Sequence, residues 1–312
     1  MVFTHLVAGL DLTSRAQRVA AFAGGLAKDL GASLTFVHAD PEEAARFRSL
    51  PAWEVIERAM AAVRASASQS ASIAAGGAST IVQRVGSPEA VLQTEAELKD
   101  GSAIVLGTGA TGATPDVGVT TTRCLRHVTV PMFIVPTHEG VEPKPVRHVL
   151  APVDFERGTD EGLHLAAELA KALGAKLTVG HVVRPPMLLG VLGAREHEAL
   201  VPGALRDMVR GADAELIRRL RAADLGHAHT RVIEAVRAAD GIAALADEVG
   251  ADLIVLPSHG RGAERGSSSA RPASAWCACR TSPCWCCRRP GWPSAARPPP
   301  SSGDRARRPA RA

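Results

Sequence analysis

Short apolar runs alternate with longer amphipathic stretches along most of this chain. Leu6–Leu10 reads as a first strand, followed by a helix for which Ser14 is a plausible N-cap and which stops near Gly31. Ser33–His38 reads as a second strand. Ile56, Met60 and Val63 recur at i, i+4 and i+7 and predict a second helix; Thr80–Val85 predicts a third strand. Pro88 then sits where a first-turn proline is tolerated and opens a helix to about Lys99, before strands at Ala103–Leu106 and Met132–Val135.

Beyond a linker the same order returns. His148–Val153, Lys176–Val182, His229–Ile233 and Asp252–Leu256 read as strands. Helices fall at about Thr159–Leu173 and Gly241–Val249, with a long one between them whose stripe is Leu205, Val209, Ala212 and Leu216. Strands alternating with helices imply right-handed crossovers and a doubly wound parallel sheet in each half.

The two halves are copies. His5 and His148, Asp11 and Asp154, Leu30-Gly31-Ala32 and Leu173-Gly174-Ala175, and His38 and His181 are all separated by 143 positions. The chain therefore divides into residues 1–137, a Pro-rich and charged linker at 138–146, a second domain at 147–262, and a tail at 263–312.

Composition changes this picture mainly at the end of the chain. The formal net charge is +4, but residues 261–312 hold 11 Arg against Glu264 and Asp304, which leaves residues 1–260 at −5. A basic, nucleic-acid-seeking globule is not implied, because the positive charge sits in one segment. Cys124 is alone in the body, while Cys277, Cys279, Cys284, Cys286 and Cys287 crowd the tail. The body thus reads as a reduced, cytoplasmic protein, and no run approaches the ~18 apolar residues that a membrane span needs.

Val149-Leu150-Ala151-Pro152-Val153-Asp154, the Leu173–Val182 segment and Ser258-His259-Gly260-Arg261-Gly262 together resemble the universal stress protein family in tandem form. The resemblance implies two Rossmann-like, adenine nucleotide alpha hydrolase-like α/β domains with parallel five-stranded sheets, and pairing of domains within the chain or as a homodimer. It also implies that some members bind ATP through a G-x2-G-x9-G-S/T pattern. Here the pattern is partial. Pro257 stands at the first Gly, Gly260 matches the second, and Ala270-Arg271 stands at the closing pair. In the first half Gly107 matches, Ala110 replaces the second Gly, and Gly118 comes early.

On that resemblance an adenine nucleotide, ATP with Mg2+ only as its companion, is expected in the second half. Its base would lie against Pro152, Val153 and Val182, its ribose near Asp154, and its phosphates over Pro257, Ser258, His259, Gly260, Arg261 and Gly262. The bland reading of Asp154 is a turn or cap carboxylate. His38 and His181 read as structural, since no nucleophile or base spacing accompanies them. No catalytic or metal site is assigned. Gly107-Thr108-Gly109-Ala110-Thr111-Gly112 spells G-x-G-x-x-G, but it follows the fourth strand and lacks the acidic partner of a dinucleotide site. Two other functions stand beside nucleotide binding: a nucleotide-free structural or signalling dimerisation module, and a weak ATP hydrolase.

The tail reads as a frame-shifted domain end, expected to be disordered, so that the second domain lacks its last strand. Cys and Trp codons both begin TG, so a frame one base earlier turns each into Leu, Val or Met. Cys284-Trp285-Cys286-Cys287 then becomes an apolar residue followed by Leu-Val-Leu. With free codon choices elsewhere, the re-read text of Ser268–Pro290 aligns from its Gly onward without gaps on Gly118–Pro136, and the restored Gly-Ser follows Gly260 with nine residues between. One lost base between about Ala263 and Ser268 accounts for this. The tail cysteines lack zinc-ribbon spacing.

Overall fold

The computed structural model describes residues 2–40 apart from 12 and 14, scattered positions between 58 and 73, and residues 79–108, 117–137, 144–155, 159–184 and 203–257, together with the backbone of 275–279. In the first half these form β1 (His5–Gly9), α1 (Ala16–Leu30), β2 (Ser33–Asp40), β3 (Thr80–Val85), α2 (Pro88–Glu97), β4 (Ser102–Gly107), α3 (Val119–His127) and β5 (Met132–Val135). The second half gives β6 (His148–Pro152), α4 (Thr159–Ala172), β7 (Lys176–Val183), α5 (Ala204–Ala222), β8 (His229–Glu234), α6 (Ala238–Val249) and β9 (Leu253–Pro257). A last strand, β10, spans Ala275–Cys279.

Helix ends follow the local chemistry. Gly31 takes a left-handed φ of 65° at the end of α1, where its N–H closes on the Ala27 and Lys28 carbonyls. Pro88 opens α2 as expected. The expected cap Ser14 lies outside the described residues, and α1 begins after Arg15 with no side-chain cap bond. Ile56, Met60 and Val63, which predict the second helix, also lie outside them, while Arg58, Ala61 and Ala62 between them are helical.

Each half is a parallel sheet with the strand order that right-handed crossovers give, β3-β2-β1-β4-β5 and β8-β7-β6-β9. Both faces are covered, which is why these strands read as apolar runs. In the first half Leu6, Ala8, Phe36 and Val105 face α1, while Val7, Val37, Ile104 and Met132 pack against α2 and Cys124 of α3. In the second half Val149, Ala151 and Val179 meet Leu163 and Leu169 of α4 and Leu216 and Leu220 of α5. Leu150 and Ile254 meet Leu245 and Ala246 of α6 on the other face. One apolar cluster is continuous from Phe133 and Val135 to Val149 and Val255, so the two halves share a core.

Among the described residues the second half has four parallel strands rather than five. β10 occupies the place of the fifth but runs the wrong way, antiparallel to β9 and parallel to β5. The remainder of the tail, and with it the expectation of disorder, lies outside the described residues.

Candidate functional site

At the carboxyl end of the first sheet, β1 and β4 both finish on glycine, Gly9 and Gly107. A cavity of about 330 Å³ opens there, at the place where open α/β sheets hold ligands. It is lined by the turn Leu10-Asp11 with Arg15 and Val19, by His38 beside that turn, and by Leu92 of α2. Gly118, Val119, Thr120 and Thr121 bring the amino terminus of α3 to the third side. That helix has no acidic residue in its first turn, so its unpaired N–H groups present a positive end to the cavity.

Hydrogen bonds fix most of this frame. Thr13 donates to Asp11 Oδ1 from its hydroxyl at 2.6 Å and from its N–H at 3.3 Å, so the carboxylate is oriented within its own turn. The His38 ring nitrogen Nδ1 lies 2.9 Å from the Leu10 carbonyl, while Nε2 lies 3.3 Å from Asp40. At the floor, Thr121 donates to the Gly107 carbonyl at 2.7 Å. The Thr137 N–H donates to Thr108 Oγ1 at 3.2 Å, and the Arg18 guanidinium donates to the Thr137 carbonyl at 3.2 Å. The arrangement offers an exposed carboxylate, a cationic Arg15 and a helix amino terminus around a largely apolar hollow. It is suited to a flat apolar ring carrying hydroxyl and anionic groups.

The second half repeats the frame with different fittings. Thr159, at the start of α4, donates to Asp154 Oδ1 at 2.6 Å, so the carboxylate is held by a helix start, close to the bland reading. His181 Nδ1 lies 2.7 Å from the Val153 carbonyl, the same clamp that His38 makes. Phe155, at a left-handed φ of 63°, stacks on His181 with ring centroids 4.2 Å apart, and Arg219 donates to the Phe155 carbonyl at 3.0 Å.

Among the expected binding residues, Pro152 ends β6, Val153 is buried and Asp154 is exposed. Val182 is packed beneath α6; a Cβ on Gly241 would come within 2.5 Å of its methyl group. Pro257 ends β9, and Ser258, His259, Gly260, Arg261 and Gly262 lie outside the described residues. Asp11, expected to make ligand contact less than Asp154, and Gly118, expected to come too early for the phosphate pattern, are brought together with Arg15 and Thr121 around a cavity. The phosphate pattern discounted that half, yet a cavity lined by backbone and a helix start does not require the pattern. Among the described residues no cluster of three or more His, Cys, Asp or Glu could hold a metal, and no helix is long and apolar enough to cross a membrane.

A family model described as the universal stress protein family matches residues 3–136 and again residues 145–273. Among solved structures, a universal stress protein from Archaeoglobus fulgidus DSM 4304 superposes with a TM-score of 0.60 at 18% identity, covering 89% of this chain and 99% of its own. A structure described as a putative universal stress protein from Pseudomonas aeruginosa UCBPP-PA14 gives 0.50 at 14% identity, covering 89% and 93%. A universal stress protein solved in complex with cAMP matches one half, at 24% identity and a TM-score of 0.32, covering 44% of this chain and 98% of its own. No curated protein matches in sequence. At these identities the structural likeness is one of fold.

Proposed function

Because this chain belongs to the universal stress protein family, we propose that it is a cytoplasmic stress-response binding protein that holds an adenine nucleotide in its first half. The observation that carries this reading is the cavity at the ends of β1 and β4, with the Asp11 carboxylate at one side and the start of α3 at the other. The base fills the apolar hollow between Leu10, Val37 and Leu92, the ribose hydroxyls meet Asp11, and phosphate meets Arg15 and the α3 N–H groups. Mg2+ enters only with a polyphosphate. The cytoplasmic assignment rests on Cys124 being the sole cysteine of residues 1–260.

The second half supports a second reading, because Asp154 and the His181 clamp reproduce Asp11 and the His38 clamp. There the nucleotide rests on Asp154 and the loop Ser258–Gly262. Isothermal titration of the full chain with ATP and with AMP tests both. We expect saturable binding that Asp11→Asn weakens about tenfold, the worth of one hydrogen bond to a charged group. Loss in Asp154→Asn with Asp11→Asn unaffected would move the nucleotide to the second half. Absence of saturable binding would leave the nucleotide-free dimerisation module as the function. Turnover of ATP, abolished by either substitution, would mark a hydrolase.

A further inference from the structure

The opposite end of the second sheet carries a row of charge that nucleotide binding does not use. His148 of β6 pairs in register with Lys176 of β7, Thr178 with His229 of β8, and Gly180 with Arg231. Partners in register share a face of the sheet, as do residues two apart on one strand. His148, Lys176, Thr178, His229 and Arg231 therefore stand on one face across three adjacent strands.

Further along, α6 covers that same face, where Leu245 packs on Leu150. The helix ends at Val249 with Gly250 left-handed as its cap. Its last turn, Glu248 and Val249, forms a wall and leaves a depression of about 230 Å³ over the polar row.

Lys176 and Arg231 face two carboxylates there, Glu248 and Asp252. Asp252 is tied to the backbone, its Oδ2 accepting the N–H groups of Arg147 and His148 at 2.9 and 3.0 Å. Glu248 approaches Arg231 at 3.7 Å with both side chains more than half exposed, a loose pair. Lys176 shares the depression with the two imidazoles and Arg231. His148 Nε2 lies 2.8 Å from Thr178 Oγ1. The first half lacks this row: the third-strand residue in register with Thr35 is Thr80, two positions on is Val82, and His5 is engaged by Ser33 at 2.7 Å.

We infer that this depression is a separate binding site for a small oxyanion of the sulfate or phosphate-monoester class, held between Lys176 and Arg231 and joined by His229, with His148 beside it. His148 is already held by Thr178 and the Val249 backbone, so the donors are the two cations on neighbouring strands and the His229 imidazole. Burial holds His148 below the ordinary imidazole range; Asp252 pulls the other way, while Lys176 and His229 add to the lowering. A bound dianion adds negative charge beside His148, so binding takes up protons and tightens as pH falls.

Sulfate is the probe, since it stays dianionic from about pH 5.5 to 7.5, the range in which imidazoles titrate. We expect the ring signals of His148 and His229 in nuclear magnetic resonance to shift saturably with sulfate, with affinity roughly tenfold higher at about pH 5.5 than at about pH 7.5. Lys176→Gln and Arg231→Gln, both at exposed positions, should each weaken binding roughly fivefold, the size of one exposed charge contact. His5, at the matching place in the first half, should not respond. Shifts that do not saturate, that sodium chloride of equal ionic strength reproduces, or that survive both substitutions would overturn the site. The nucleotide cavity lies at the other end of the strands, so that outcome leaves the Asp11 reading untouched.

Discussion

Replacing Gly107 by alanine tests whether the floor of the first-half cavity is as tightly built as its geometry indicates. A Cβ at Gly107 would stand 2.7 Å from Thr137 Cγ2 and 3.0 Å from Val19 Cγ2. Both neighbours are β-branched and stiff at χ1. Thr137 is further pinned, because its N–H donates to Thr108 and its carbonyl accepts from Arg18. Neither neighbour can turn aside, so overpacking of about 1–3 kcal/mol is expected. Against it stands a gain of about 0.4–1 kcal/mol from the stiffer unfolded chain. A net loss of about 1–2 kcal/mol lowers Tm by roughly 2–8 °C for two halves that share one core.

Gly9→Ala is the comparison. Its Cβ would meet Leu106 Cδ2 at 2.5 Å, and a leucine end can move to another rotamer more readily than a pinned threonine. Thermal unfolding should therefore rank Gly107→Ala as the more destabilised, and nucleotide titration should show the greater loss of affinity for it too. A Gly107→Ala protein that melts at or above the wild-type temperature, or below which Gly9→Ala falls, would refute the reasoning.

Thr159→Val removes the 2.6 Å bond to Asp154 at the start of α4 and should cost about 1 kcal/mol in urea unfolding; an unchanged midpoint would mean the bond contributes nothing. Burial pushes the Cys124 thiol from 9.0 up to about 12, so in the folded protein it stays protonated and should resist iodoacetamide at pH ~8.5, where a free thiol is about half ionised. Because the folded value is raised, Cys124 contributes stability that is fully present below pH 9.0 and lost as pH climbs toward about 12; peptide mapping of alkylated Cys124 against pH checks both. Resequencing the gene across codons 262–270 should reveal one missing base, after which the reading frame continues into a parallel last strand. A gene with no such alternative reading sinks the frame-shift account.

Much of the architecture was legible from periodicity. Strands buried on both faces can only be written as continuous apolar runs, so Leu6–Leu10 and His148–Val153 announced themselves, and the constant offset of 143 exposed the duplication. Helix ends at Gly31 and Pro88 were readable because each needs a local conformation that few residues supply. The candidate cavity was less legible. Its lining comes from β1, α1, β2, α2, β4, α3 and the residues after β5, up to 128 positions apart from Gly9 to Thr137, and no one-dimensional spacing pattern can register such a gathering. The expected adenine contact at Val182 illustrates the limit: residue type suggested an apolar surface, but the small Gly241 lets α6 close onto it.

The α/β class and the two copies, then, were set by the sequence alone. Three matters came only from the tertiary structure: that a cavity opens at the ends of β1 and β4, that the halves share one apolar cluster, and that Ala275–Cys279 lies antiparallel to β9. Element identity is set by side chains a few residues apart, which any reading along the chain can follow. A cavity, and the direction of a strand added at an edge, depend on backbone groups that become neighbours only after the chain has crossed over and packed.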